Sequence, residues 1–506
     1  MLPVAPPWGP DVGDRRLKSV LTRLVLAGIG VFGLSAGSLD VAEPYPTSPK
    51  AVASTRFFLE VDGQSVFVQK FKDIHYAHFQ SPDSDSARIK VTARRAFEIM
   101  ELSPKSAGIQ TELDPGSRTL DFEIPNAGKW VVTMDGDEHL FIFAEVPVVS
   151  PANGISVLDY GADPSGKSLS TKAIQAAIDE APADATVIIP PGHFLSGSLI
   201  IKSDISLFLE AGALLQASGN PDHFESIQNA FIVIEDAENV RLEGRGTIDG
   251  SGAYLRHLTD VSGRLLAIRD SRNVTIAGII LRNPRAWNTH IVRSEHVTLR
   301  NVKIVNDREV LNTDGINPDS SRHVLVEDTF FYCGDDAVAI KSTNRQGRFE
   351  DVYDITIRNN VMLTQKSALK VGTETHAAEM KDILFENNQV IESDRGMSLY
   401  ARDGTHMHDI RFIRNRFERP FPDYQQRLID FRITERYGLS RISDVLIKDN
   451  IVDERWSQPS LIKGLSEDHD ISNVLFENFV YAGEKVLSPD VANIDAGPHT
   501  NGISFR

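Results

Sequence analysis

The sequence predicts an all-β protein in which a right-handed parallel β-helix, a solenoid, follows a small antiparallel β-sandwich. Two observations carry this prediction. One strand-like phrase recurs through the second half of the 506-residue chain, and an earlier segment alternates apolar and polar residues between Asp-Gly turns. The predicted divisions are an export signal or N-terminal anchor at 1–40, the sandwich at 48–149 and the β-helix at 150–506.

The N-terminal segment has the pattern of an export signal. Four cations between Arg15 and Arg23 precede an apolar run from Leu24 to Leu34, and small residues follow. The run is too short to span a membrane as one helix, which needs about 20 apolar residues. We therefore expect an exported protein, periplasmic or extracellular, with no membrane contact beyond an N-terminal anchor as the alternative.

The next hundred or so residues show hairpin signals without a helical period. The stretch RFFLEVDGQSVFVQKF turns at Asp62-Gly63, and WVVTMDGDEHLFIFAEV turns at Asp135-Gly136. Asp-Gly between alternating apolar runs is the strongest short-range signal for a tight β-hairpin. These features predict the sandwich.

The recurring phrase is a short strand with two inward-facing apolar side chains. It occurs as NVRLEG, NVTIAG, HVTLRN, HVLVED, DITIRN, DILFEN, DIRFIR, DVLIKD and NVLFEN, starting at 239, 273, 296, 323, 354, 382, 409, 444 and 473. One such strand cannot bury its apolar face alone, but stacking on the equivalent strand of the next coil does so. We expect all nine phrases to stack in one sheet.

The first coil needs a cover, because an open solenoid end invites edge-to-edge association. The segment STKAIQAAIDEA, residues 170–181, predicts a capping helix with Ser170 or Thr171 at its N-cap. Its apolar face comprises Ala173, Ile174, Ala177 and Ile178.

Composition narrows the class of partner. Lys and Arg number 53 against 70 Asp and Glu, a net charge of −17, which argues against nucleic acid or an anionic membrane surface. Cys333 is the only cysteine, so an intramolecular disulfide and a metal site built on several thiolates are excluded. We expect a monomer that uses no metal and no cofactor.

Three aspartates stand out in the strand-like region. Asp314 lies in NTDGINPD, residues 312–319, and Asp335 and Asp336 lie in YCGDDAVAIKS, residues 332–342. Their separations of 21 and 22 residues fit one coil, so the three carboxyls are expected to cluster. Crowded carboxyls raise at least one pKa, and glycosidic hydrolysis needs one carboxylic acid and one carboxylate. The alternative is a turn rich in Asp, Asn and Gly that serves backbone geometry alone.

These motifs resemble glycoside hydrolase family 28, the polygalacturonase-like enzymes. The resemblance rests on NTDG, GDD and GTIDGSG, and extends to VLDYGADPSGKSLSTKAIQAAI, VIIPPGHFLSGSLIIKSDISLFLEAGALL and NPRAWNTHI, covering about residues 155–400. It implies an inverting hydrolase of a polysaccharide or oligosaccharide. Asp335 would be the general acid, and Asp314 and Asp336 would hold and deprotonate the attacking water.

Two departures from the family pattern bear on the substrate. Ser367 stands where the family has the histidine of Gly-His-Gly, and Ser398, Leu399 and Tyr400 stand where it has Arg-Ile-Lys, which grips a uronate carboxylate. Without these cations we expect polygalacturonate to be a poor substrate.

The substrate-binding residues that we predict are His290, Lys341, Lys370, Tyr400 and Arg402. His290 matches a histidine frequent in the family, with a purely internal hydrogen bond as the alternative. Tyr400 could stack on a sugar ring. The three cations are the ones that could replace the missing Arg and Lys.

The layout of a sandwich before a β-helix is similar to that of the family 49 dextranases. Two other functions remain open from the sequence. One is a polysaccharide lyase or epimerase on the same scaffold, which needs a base beside a neutralised carboxylate. The other is a non-catalytic carbohydrate-binding or adhesion solenoid.

Overall fold

The computed structural model of the chain describes residues 42–506 except 82–85, 126, 225–229, 260–262, 346 and 423–424. Residues 1–40, the predicted export signal or anchor, lie outside the described residues. None of the helices in the described ranges is long and apolar enough to cross a membrane. Leu39–Arg506 forms one compact unit.

The fold prediction is confirmed: the chain is nearly all β, and a parallel β-helix follows a sandwich of two sheets. One sandwich pair, Ile74–Gln80 with Glu138–Glu145, is parallel rather than antiparallel. The first sheet holds Glu43–Pro44, Val52–Ala53, Val68–Phe71, Ile74–Gln80, Met100–Ser103, Gly128–Met134 and Glu138–Glu145. The second holds Phe57–Val61, Gln64–Val66, Ser86–Ala93, Thr111–Asp114 and Thr119–Pro125.

Both predicted Asp-Gly turns close hairpins of the sandwich. Asp62 and Gly63, with φ of 49° and 77°, join Phe57–Val61 to Gln64–Val66. Two successive positive φ angles match the right-handed twist of the flanking strands, and Asp followed by Gly tolerates them.

The described strands from Ile155 onward form three long parallel sheets, which we name the repeat sheet, the docking sheet and the site sheet. The repeat sheet comprises Ile155–Ser156, Ala185–Ile189, Ile205–Leu209, Glu238–Gly244, Arg272–Ala277, Glu295–Arg300, Arg322–Glu327, Val352–Arg358, Glu379–Glu386, His406–Ile413, Arg441–Lys448, Ile471–Glu477, Thr500–Asn501 and Ser504–Phe505.

The docking sheet comprises Ser165–Leu169, Gly192–Ser196, Ala213–Ala217, Thr247–Asp249, Ile280–Arg282, Lys303–Val305, Phe330–Cys333, Val361–Thr364, Gln389–Ser393, Arg416–Pro420, Ile451–Val452, Val480–Tyr481 and Glu484–Lys485. The site sheet comprises Leu199–Ile200, Ile232–Glu235, Leu266–Arg269, Thr289–Val292, Ile316–Asp319, Val338–Ser342, Ser367–Thr375, Arg395–Ala401, Arg427–Ile433, Ser460–Lys463 and Ile494–Ala496.

The nine repeated phrases stack on consecutive coils of the repeat sheet, as predicted. Each phrase begins with Asn, His or Asp at a positive φ, for example Asn239 at 56° and Asp444 at 54°. These residue types tolerate the left-handed region better than most non-glycine residues. The same bend therefore recurs once per coil and keeps the strands in phase.

The predicted capping helix is present as Thr171–Glu180. Ile174, Ala177 and Ile178 are buried in the main core, and Ala173 packs against that core. Ser170 occupies the N-cap position, but its hydroxyl accepts from the backbone N–H of Asp163 instead of a helix N–H. The other helices are α-helical at Gly252–Thr259 and 3-10 at Lys105–Ala107, Val157–Tyr160, Pro221–His223 and Pro489–Ala492.

The sandwich packs against the docking sheet, on the side of the β-helix. Phe330 lies with its ring 4.7 Å from that of Phe141 and 5.0 Å from that of Phe143. Beside this apolar contact, buried Glu145 forms ion pairs with Lys303 and Arg245 of the β-helix. The two parts therefore share one dry interface.

Candidate active site

The three aspartates lie at the turns that lead from the docking sheet into the site sheet. Ile316 is in register with Val338, so Asp314 and Asp336, each two residues earlier, stand on neighbouring coils about 4.8 Å apart in backbone. The N–H of Gly315 donates to the carbonyl of Asp336 at 2.9 Å, which fixes this juxtaposition.

Glycines allow the two aspartate motifs to approach each other. A Cβ on Gly315 would lie 2.4 Å from the carbonyl oxygen of Ala337, and one on Gly334 would lie 2.6 Å from Oγ1 of Thr313. Both distances are shorter than real Cβ contacts. The glycines of NTDG and GDD are thus required by close packing between successive coils.

The environment pushes the carboxyls toward different protonation states. Burial, and next the charge of Asp335, raises the pKa of Asp314 well above its usual value. Burial and the charge of Asp336 also raise the pKa of Asp335. Burial would raise the pKa of Asp336 too, but Lys370 and Arg395 outweigh it and hold that pKa at about 2. The site thus combines one fixed anion with two carboxyls that favour the protonated form.

Two of the predicted binding lysines form ion pairs within the site. Lys370 Nζ donates to Asp336 Oδ2 at 2.6 Å, and Lys341 Nζ donates to Glu374 at 2.9 Å. Both lysines are buried. The Lys341 ammonium also lies 4.7 Å from the ring centre of Trp287.

Tyr400 lies beside this lysine network with its hydroxyl fully engaged. The hydroxyl donates to Asp430 and accepts from Arg395 Nη1 at 3.0 Å. Burial, against the opposing charge of Arg395, raises the pKa of Tyr400 to about 12. The Lys370 ammonium lies 5.4 Å from the ring centre, so the ring face is turned toward the site.

His290 is fully buried in the site sheet. Its Nε2 donates to Asp319 at 2.9 Å, and Nδ1 is free to accept from Arg264 Nε at 3.4 Å. Burial lowers its pKa to about 3, so the ring is neutral. Trp287 packs edge-to-face against it, with ring centres 4.9 Å apart.

Arg402 and the two serines complete the predicted set. The backbone N–H of Arg402 donates to Thr375, and its buried Nε has no hydrogen-bond partner among the described residues. Ser367 stands where the family has histidine, and its backbone N–H donates to Asp336 at 2.9 Å. The Ser398 hydroxyl donates to that of Ser367 at 3.2 Å.

Four residues that the sequence analysis did not single out also shape the site: Trp287, Arg264, Glu374 and Asp430. A stacking argument could have found Asp430, because Ser398 is in register with it. It would have missed Glu374, because the register of neighbouring strands shifts between Ile340 and Ser342.

Comparisons with known proteins agree with this geometry. Residues 180–417 match the sequence model of Glycosyl hydrolases family 28. A probable polygalacturonase of Vitis vinifera is 30% identical over 282 residues, which cover 49% of this chain and 57% of that protein. The chain spans little more than half of the length of the curated relatives that it matches.

Two solved structures share the fold. The exopolygalacturonase of Thermotoga maritima has a TM-score of 0.58 at 20% identity, covering 70% of this chain and 93% of that one. Dex49A from Penicillium minioluteum has a TM-score of 0.54 at 14% identity, covering 91% and 96%, which supports the resemblance of the layout to the family 49 dextranases. With the sequence match over the aspartate motifs, residues 180–417 of this chain belong to glycosyl hydrolase family 28.

Proposed function

We propose that this protein is an exported glycoside hydrolase that cleaves a polysaccharide or oligosaccharide with inversion at the anomeric carbon. The observation that carries the proposal is the ion pair of Asp336 with Lys370 beside two carboxyls of raised pKa. This asymmetry supplies a proton donor and a base in one place, as glycosidic hydrolysis requires.

Each aspartate has a separate role in this proposal. Asp335 protonates the leaving oxygen, because its raised pKa keeps a proton available at moderate pH. Asp336 stays ionised and, with Asp314, orients and deprotonates the water that attacks from the opposite side. The three carboxyls exchange charge as a unit, so these roles describe the productive protonation state of the group.

The paired lysines favour a substrate other than polygalacturonate. Lys370 and Lys341 are neutralised by Asp336 and Glu374. A uronate would have to compete with those carboxylates, whereas a neutral sugar would not. Arg264, which bonds only a neutral histidine among its described partners, is the cation that could reverse this preference.

A reducing-sugar screen over dextran, polygalacturonate and rhamnogalacturonan tests the activity, and NMR of the first product tests inversion. We expect new reducing ends without an unsaturated product that absorbs in the ultraviolet. Such an unsaturated product would identify a lyase instead. Retention of configuration would reject the water-activating role of Asp314 and Asp336.

A further inference from the structure

Three rings from successive loops form a row next to the site sheet, which we name the aromatic row: Phe349, His376 and Tyr437. The ring centres of Phe349 and His376 are 5.9 Å apart, and those of His376 and Tyr437 are 5.7 Å apart. Each ring follows a strand of the site sheet, so the row runs across several coils.

The outer rings of the row face solvent. Tyr437 is 62% exposed and Phe349 is 41% exposed, whereas most large apolar side chains of this chain are buried. Exposed apolar side chains that adjoin one another in a row commonly mark a binding surface, whereas scattered ones need no explanation.

The loop that carries Tyr437 is held in place. Arg436 donates through both Nε and Nη2 to Asp403, each at 2.5 Å. The N–H of Tyr437 donates to the carbonyl of Arg402 at 3.2 Å. A Cβ on Gly438 would lie 3.4 Å from Cα of Gly404, so the two loops pack closely. The ring is therefore positioned before any ligand arrives.

The row adjoins the candidate active site through the chain itself. His376 lies two residues after Glu374, which holds Lys341, and its N–H donates to the carbonyl of Ser342 at 2.9 Å. Arg436 lies within the electrostatic reach of Glu374 as well as of Asp403. A chain leaving the aspartates along the site sheet would reach the row without crossing the core.

We propose that the aromatic row is an outer binding site for the same glycan chain that the aspartates cleave, with pyranose rings stacked on Tyr437 and Phe349. Aromatic faces are electron-rich and attract the C–H face of a sugar, while the nearby Asp403–Arg436 pair offers hydrogen bonds to hydroxyl groups. The spacing of the rings is about one pyranose residue. The inference rests on the proposed function, since it takes the polysaccharide as its occupant.

Affinity electrophoresis in gels cast with dextran, polygalacturonate or rhamnogalacturonan tests the row. The experiment uses Asp335→Asn protein, so that the gel polysaccharide is not degraded. We expect at least one polysaccharide to retard it, and Tyr437→Ala to weaken that binding about three- to tenfold. Tyr437→Phe should keep the affinity. Leu439→Ala is the matched control, because Leu439 is 65% exposed on the same loop and outside the row.

The outcomes separate this inference from the proposed function. Unchanged retardation of Tyr437→Ala, an equal loss in Leu439→Ala, or no retardation by any of the three polysaccharides overturns the aromatic row as a glycan site. Loss specific to Tyr437→Ala, in a protein whose wild type releases no reducing sugar, supports the row and rejects the hydrolase.

Discussion

Lys370 Nζ lies 2.6 Å from Oδ2 of Asp336, and the N–H of Ser367 donates to the other oxygen at 2.9 Å. The lysine and the carboxylate are both buried. Removing one partner of such a pair leaves an uncompensated buried charge. The pair therefore fixes the charge of Asp336 independently of the other two aspartates, and several measurable consequences depend on it.

Lys370→Met should raise the pKa of Asp336 from about 2, because burial then acts without its main opposing charge. The acid limb of the kcat/KM profile should move to higher pH, and activity at its optimum should fall about 10- to 100-fold. Lys370→Arg should restore most of the activity, since it keeps the charge. A mutant profile with an unchanged acid limb would show that Asp336 does not depend on Lys370.

Asp314→Asn should stabilise the folded protein at neutral pH. The pKa of Asp314 is raised in the folded state, so the carboxyl costs stability as pH rises from its unfolded pKa of about 3.9 toward the folded one. The neutral amide avoids that cost, and we expect a gain of at least about 1 kcal/mol at pH 7.

Thermal unfolding at several pH values measures this effect. The gain should vanish below about pH 4, where both carboxyl states are protonated. Asp495→Asn, at an exposed position of the site sheet, is the control and should change little. A stability gain that persists undiminished at pH 3 would mean that packing, not charge, explains it.

The sequence predicted the repeat sheet fully because one local rule sets it. Each phrase opens with a residue that tolerates positive φ, and the apolar pair behind it has only one face to bury. The aspartates were likewise predictable, since their spacing equals one coil. These features depend on neighbouring residues or on the coil length alone.

The pairing of the lysines was not predictable in the same way. Regular stacking would place Gly372 opposite Lys341, but the strand Ser367–Thr375 holds two extra residues between Val371 and Thr375 that bring Glu374 there. Such an irregularity follows from packing across coils and leaves no periodic signal. The partner of a cation in a solenoid therefore needs the three-dimensional register.

Glu145→Gln should destabilise the whole protein, because it leaves Lys303 and Arg245 buried without their counter-charge. The expected loss is about 3–5 kcal/mol in the free energy of unfolding. Glu484→Gln breaks the exposed pair with Arg455 and should cost less than about 1 kcal/mol. Similar losses in denaturant titrations of both variants would contradict a load on the sandwich interface.

Polygalacturonate should be turned over much more slowly than the best substrate of the screen. Lys341 and Lys370 already hold Glu374 and Asp336, and Ser398 and Tyr400 carry no positive charge. The comparison is made in kcat/KM at matched ionic strength. Comparable turnover would show that another cation grips the uronate, and a selective loss in Arg264→Gln would identify it.

Asp335→Asn should lose activity on the natural linkage, because it can no longer protonate the leaving oxygen. General-acid catalysis contributes about 10²- to 10⁴-fold, or roughly 3–5 kcal/mol. On a substrate with a dinitrophenolate leaving group, which departs without a proton, the loss should be much smaller. Asp314→Asn and Asp336→Asn should impair both substrates alike, since water must be activated whatever group leaves.

The comparison is decisive only for folded variants, so thermal unfolding and glycan retardation accompany the kinetics. Asp335→Asn keeps the shape of the side chain and removes a carboxyl of raised pKa, so its fold should be retained. Near-normal activity of this variant on the natural linkage would remove Asp335 as the acid. An equal loss on both substrates would instead place Asp335 in water activation and leave the identity of the acid to Asp314, whose raised pKa also suits a proton donor.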